Sequence, residues 1–140
     1  SISGSSSKTI KISRIFISGT KTNSTNIDFL LIKRSTANSG GTSTTLTNIP
    51  FDATNAAATA VVLAYTANPT LGTLVGIVHS AKLFINSVSG GYSDRLFLDY
   101  VRQPSQPIVL RGTNETLNIN LNNVSIAGSS LDIVVEWIES

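Results

Sequence analysis

The chain of 140 residues carries ten Lys or Arg against eight Asp or Glu, a formal net charge of +2, with 41% apolar and 13% charged residues. That length suits one domain with its own core, and so few, nearly balanced charges, closest together as Lys33 and Arg34, argue against a phosphate-binding nucleic-acid surface. The lack of Cys excludes a disulfide framework and a thiolate metal site, while Ser, Thr and Asn, about a third of the chain, compete for backbone hydrogen bonds and so favour strands and turns over long helices.

The first seven residues, Ser1, Ile2, Ser3, Gly4, Ser5, Ser6 and Ser7, have almost nothing to bury. They are read as an extended arm, a candidate contact segment, ahead of a single domain over 8–140. The start lacks the charged-then-apolar pattern of a signal peptide. Ser1 is also what removal of an initiator Met leaves, so synthesis in the cytoplasm is expected. In "KTIKISRIFI" (8–17) Ile10 and Ile12 fall on one parity and Ile15 and Ile17 on the other, which a bulge near Ser13 and Arg14 would reconcile. "IDFLLIKR" (27–34) reads as a strand.

The stretch "KRSTANSGGTSTTLTN" (33–48) holds one Leu among small polar residues and is expected to be a loop, with a sharp reversal at Gly40 and Gly41. In an oligomer, backbone hydrogen bonds to neighbouring chains would order it. "ATNAAATA" (53–60) permits a helical turn or two but is short for a helix. Strands follow at 59–66, 73–80, 82–87, 95–101 and 107–111. "TLNINLNN" alternates Leu117, Ile119 and Leu121 with Asn, the pattern of a half-buried strand. "LDIVVEWI" places Leu131, Ile133, Val135 and Trp137 on one face and the mixed set Asp132, Val134, Glu136 and Ile138 on the other. Seven to nine short strands separated by turn signals predict an all-β sandwich or barrel.

Reaction chemistry is sparse. His79 is the only histidine, so a His-based metal cluster is excluded and a hydrolytic triad would depend on this one residue. Asp132 and Glu136 share a strand face, but four residues of strand span about 13 Å, beyond the roughly 5 to 9.5 Å of glycoside cleavage. Asp94 and Asp99 flank a strand and are read as partners for Arg95 or Arg102. The "SGG" at 39–41 and 89–91 does not continue into a phosphate loop, and no calcium loop of alternating acids appears. Three sequons, at Asn23, Asn114 and Asn123, are what the Asn, Ser and Thr content yields by chance. Phe16, Phe29, Phe84, Phe97 and Trp137 lie in strand patterns and are expected in the core; Tyr65, Tyr92 and Tyr100 are candidate exposed contacts, with core or strand packing expected for most of them. No catalytic residue, cofactor, metal, membrane or small-molecule substrate is expected, and the protein is read as a non-enzyme.

"DFLLIKRSTANSGGTSTTLTNIPFDATNAAATAVVLAYTANPTLGTLVGIV" together with "QPIVLRGTNETLNINLNNVSIAGSSLDIVVEWIES" resembles a family of small virion structural proteins of tailed bacteriophages, over roughly residues 27–140. Its most specific segments are "LIKRSTANSGGTSTT", "AYTANPTLG" and "QPIVLRGT". The resemblance implies a capsid decoration, or cement, protein: a β-sandwich, most often a jelly roll of about eight antiparallel strands, that sits as a homotrimer on the capsid exterior and binds the major capsid protein. Residues 1–7 then become a candidate capsid-contact arm, and the mixed face of the last strand, through Val134 and Ile138, a candidate subunit interface. The competing reading is a carbohydrate- or receptor-binding sandwich of a phage tail or head fibre.

Overall fold

A computed structural model describes residues 1–87, 89, 91–102, 106–122 and 127–140. The sequon at Asn123 lies outside the described residues. The described chain is all strand and turn, with ten strands: β1 (Ile2–Ser3), β2 (Ile10–Lys21), β3 (Thr25–Arg34), β4 (Thr42–Leu46), β5 (Val61–Ala67), β6 (Leu74–Ile85), β7 (Leu96–Asp99), β8 (Ile108–Leu110), β9 (Thr116–Asn120) and β10 (Ser129–Glu139). They form two antiparallel sheets, one of six strands in the order β4-β5-β1-β9-β3-β6 and one of four in which β10 lies on one side of β2 and both β7 and β8 on the other. The fold is therefore a single-domain β-sandwich. Its pairing is nested: β2 runs against β10 in one sheet, and the next strands inward, β3 and β9, run against each other in the other sheet. The nesting stops there, since β4 pairs with β5 and β8 with β2.

The expected bulge is where the Ile parity changes. Arg14 pairs with Glu136 and Ile12 with Trp137, so Ser13 is the extra residue of β2. Its hydroxyl donates to the Glu136 carbonyl (3.0 Å), and its own carbonyl accepts the Tyr100 N–H (2.8 Å). The bulge lets Ile10, Ile12, Ile15 and Ile17 all point inward, each no more than 2% exposed. It also marks where the neighbour of β2 changes from β8 to β7. Facing these isoleucines are Ile27, Phe29 and Leu31 of β3 and Leu117 of β9, joined by Leu83, Ile85 and Leu110 in one cluster.

Several expectations are corrected. Residues 1–7 are not an extended arm outside the sandwich. Ile2 and Ser3 form β1, wedged between β5 and β9, because Ile2 is an apolar anchor that buries to 4% exposure. Ser5 is also buried and its hydroxyl accepts the N–H groups of Ser7 and Lys8, leaving Ser6 and Ser7 as the exposed part of the segment. The stretch 33–48 is not one loop either. Lys33 and Arg34 complete β3, and Thr42–Leu46 is β4, paired to β5 within the same chain. Gly40 and Gly41, at φ 64° and 71°, make the reversal between them. The segments 73–80 and 82–87 join into β6, and "ATNAAATA" forms turns without a helix.

Candidate functional site

The strands place few reactive groups together. His79 lies in β6 opposite Leu31. Asp99 accepts the N–H groups of Val101 (2.9 Å) and Arg102 (3.2 Å) and pairs with the guanidinium groups of Arg14 (3.3 Å) and Arg102 (3.5 Å). The Val101 N–H, aided by Arg102 and Arg14 and opposed by partial burial, holds its carboxyl below the usual carboxylate range. Asp94 accepts the Phe84 N–H (2.7 Å), and Glu136 pairs with Arg14 (3.3 Å). Each of these acids has a bracing role in the sheets. Among the described residues no three His, Cys, Asp or Glu side chains converge as a metal site.

Apolar surface is the dominant feature instead. Among the described residues sixteen large apolar side chains are exposed, against fourteen buried ones. Phe84 (42%) and Phe97 (59%), expected inside, are among the exposed ones because the register of β6 and β7 turns them outward. Phe84 belongs to β6 of the six-stranded sheet, whereas the outer face of the four-stranded sheet carries Phe97 with other apolar side chains in rows fixed by register. Val134, Phe16 and Phe97 are direct cross-strand neighbours, and beside them run Glu136, Arg14 and Asp99. The ion pairs satisfy that second row within the chain. Next comes Ile138 with Lys11 and Val109. Val134 and Ile138 are 49% and 57% exposed, so the sequence placed them correctly on a partly apolar outer face. It missed Phe16, which joins this face only after the Ser13 bulge, and Phe97, its partner in β7.

A second apolar region is the start of β6, an edge strand of the six-stranded sheet. Leu74, Val75, Ile77 and Val78 are all 42% to 59% exposed. Register breaks with β3 leave Val75 and Val78 as extra residues, bulges that twist this edge away from simple strand addition. Further along, Asp94 and Ser93 cover the same edge at Phe84 and Asn86.

The third region is the connection 47–60, where Ile49 is 82% and Phe51 90% exposed. Its ends are tied by the Asn48 side-chain amide, which donates to the Ala60 carbonyl (2.7 Å). Its turn is braced at Asp52, whose carboxylate accepts the Thr54 N–H (2.9 Å) and hydroxyl (2.7 Å). From β10, Glu139 clamps its exit: the carboxylate accepts Thr59 N–H (2.9 and 3.0 Å), the Thr59 hydroxyl (2.7 Å), Ala60 N–H (3.0 Å) and the Trp137 indole N–H (3.1 Å), with Lys8 at 3.4 Å. Burial opposes ionisation there, but the hydrogen bonds outweigh it and hold the Glu139 carboxyl at about 2.

Next to this loop is a half-open cleft of about 320 Å³ between the N-terminal segment, β5 and the turn at 37–38; Ser3, Ala37, Val61, Leu63, Tyr65 and Thr116 are among its walls. The turn is held by Asn38, which donates to Asn118 Oδ1 (2.8 Å) and accepts the Gly72 N–H (3.0 Å). Gly72 passes so close to the Thr36 carbonyl that a Cβ would overlap it. The polar run 35–39 is thus ordered by bonds within its own chain. Of the three tyrosines, Tyr65 lines the cleft, Tyr92 is 93% exposed, and Tyr100 packs against the core. Comparison of the chain with family models, with curated proteins and with solved structures finds no match.

Proposed function

We propose that this chain is a non-enzymatic virion protein of a tailed bacteriophage, made in the bacterial cytoplasm, which assembles as a homotrimer and decorates the capsid exterior through contacts with the major capsid protein. The observation that carries this reading is the number of large apolar side chains left exposed, sixteen against fourteen buried among the described residues. Contiguous apolar surface on a folded chain marks protein contact sites. The row Val134, Phe16 and Phe97 suits a subunit contact, since its flanking charges Arg14, Asp99 and Glu136 already partner one another and need no new counter-charge when water is excluded. The likeness of residues 27–140 to small phage virion proteins supplies the capsid as the larger body. Repeated weak footings of a trimer on a shell act together as one strong attachment.

An electron-microscopy map of the phage particle tests this. The expected result is a two-layered β body in threefold clusters on the outside of the head; density confined to the tail, or none on the shell, overturns it. The alternative, a carbohydrate- or receptor-binding module of a tail or head fibre, draws on the cleft beside Tyr65, which has Ser and Thr hydroxyls along its rim. A reproducible glycan-array signal lost in Tyr65→Ala would favour it.

A further inference from the structure

One cross-strand row of the six-stranded sheet runs from the cleft beside β5 to a buried cation. The pairing registers set Val61, Ser3, Thr116 and Arg34 side by side across β5, β1, β9 and β3. Residues paired this way share a face. The row that lines the cleft at Val61, Ser3 and Thr116 therefore ends, one strand further on, at Arg34. That side chain is 7% exposed, the only charged one buried among the described residues. Its Nη1 donates to the Gly72 carbonyl (2.6 Å), but its Nε has no hydrogen-bond partner. None of the ion pairs among the described residues includes it.

A buried cation without a counter-ion is costly, and in its low-dielectric surroundings its field is little screened. The cleft lies within that field. The Gly72 peptide joins the two, since its carbonyl takes Arg34 and its N–H donates to Asn38 Oδ1 (3.0 Å), and Asn38 lines the cleft. No residue lining the cleft is acidic; Ser and Thr hydroxyls predominate, with the Asn38 amide and the Tyr65 ring. Hydroxyls that both donate and accept suit a ligand dense in hydroxyl groups, and an aromatic ring suits the apolar face of a pyranose. The volume of about 320 Å³ is at the small end of ligand pockets, roughly 300 to 1,000 Å³, and fits one or two sugar rings. We propose that this cleft binds an acidic saccharide, a pyranose that bears a carboxylate, with the carboxylate toward the Arg34 end of the row. An acidic side chain of a partner protein would supply the charge but leave most of the hydroxyls unmatched. The inference rests on the saccharide reading of the cleft and is independent of the homotrimer.

Titration of the ¹⁵N-labelled chain at matched ionic strength, read by amide chemical shifts, tests it with glucuronate, N-acetylneuraminate, glucose and acetate as probes. The expected result is that one of the two sugar acids shifts the amides of Ser3, Asn38 and Thr116 and binds at least tenfold tighter than glucose or acetate. Ala37→Glu sets an anion at an exposed position of the cleft wall and is expected to bind that acid at least tenfold more weakly than Ala37→Gln, its match in size. This pair reads the charge preference without disturbing the brace between Arg34 and Gly72. Arg34→Gln is expected to abolish the preference for the acid over glucose where circular dichroism shows the fold intact. Glucose binding as tightly as the sugar acids overturns the acidic assignment and leaves the saccharide reading standing. Acetate binding as tightly as they do makes the cleft a plain anion site and overturns the inference, as does equal affinity of Ala37→Glu and Ala37→Gln. No shift with any of the three sugars overturns both the inference and the saccharide reading.

Discussion

At the scale of single residues, Glu139 does the most to tie separate parts of the chain. Its carboxylate, near the end of β10, satisfies two backbone N–H groups 79 and 80 positions away, along with Thr59, Trp137 and Lys8. Because the folded value of about 2 lies below the ordinary 4.5, its contribution is complete above about pH 4.5 and is lost as the pH falls toward 2. Glu139→Gln keeps the shape but not the charge. It is expected to cost about 1 to 2 kcal/mol at pH 7, after allowing for solvent screening. Chemical denaturation at pH 7 and at pH 2.5 checks this, with the difference between variant and wild type shrinking at the lower pH. Sequence patterning does not reveal such a residue: Glu139 reads as one more terminal charge until the fold brings Thr59 beside it.

At the scale of elements, the period-two patterns located most of the sandwich. "TLNINLNN" and the switched Ile parities of β2 were legible because each alternation reports directly on which face is buried. Two strands were not. β4 (Thr42–Leu46) is exposed at every position, so it carries no apolar alternation to read, and its existence depends on β5 alongside. β1 has one apolar residue, Ile2, and is two residues long; only the slot between β5 and β9 makes it a strand. Of the candidate site, Val134 and Ile138 were legible as an odd apolar presence on a wet face, whereas the cleft needs four distant segments and has no linear signature. Since β1 joins β5 to the rest of its sheet, Ile2→Ala is expected to cost about 2 to 4 kcal/mol. It should also speed amide exchange in β4 and β5 more than in β2 and β10, as read by hydrogen-exchange mass spectrometry. Deleting residues 1–7 therefore tests the sheet before it tests any shell contact, and substitutions at the exposed Ser6 and Ser7 are the cleaner probe of the latter.

At the scale of the whole molecule, the surface divides into a banded face on the four-stranded sheet, a bulged apolar edge on β6, and the Phe51 projection with its neighbouring cleft. The banded face predicts its own phenotype. Val134→Lys sets a cation in the row with Phe16 and Phe97 and is expected to lower the mass of the assembled species in sedimentation, while an exposed position leaves the fold itself intact. A variant with wild-type mass at micromolar concentration would remove this face from the subunit contact. The nesting of β2 against β10 has a separate consequence for how the protein comes into being. Every hydrogen-bonded rung between those two strands joins positions more than a hundred residues apart, so a nascent polypeptide leaving the ribosome has no partner for one side of β2 until residues 129–139 have been synthesised. Closure of such distant loops is slow, so the Ile-rich face of β2 stays open to aggregation throughout that interval.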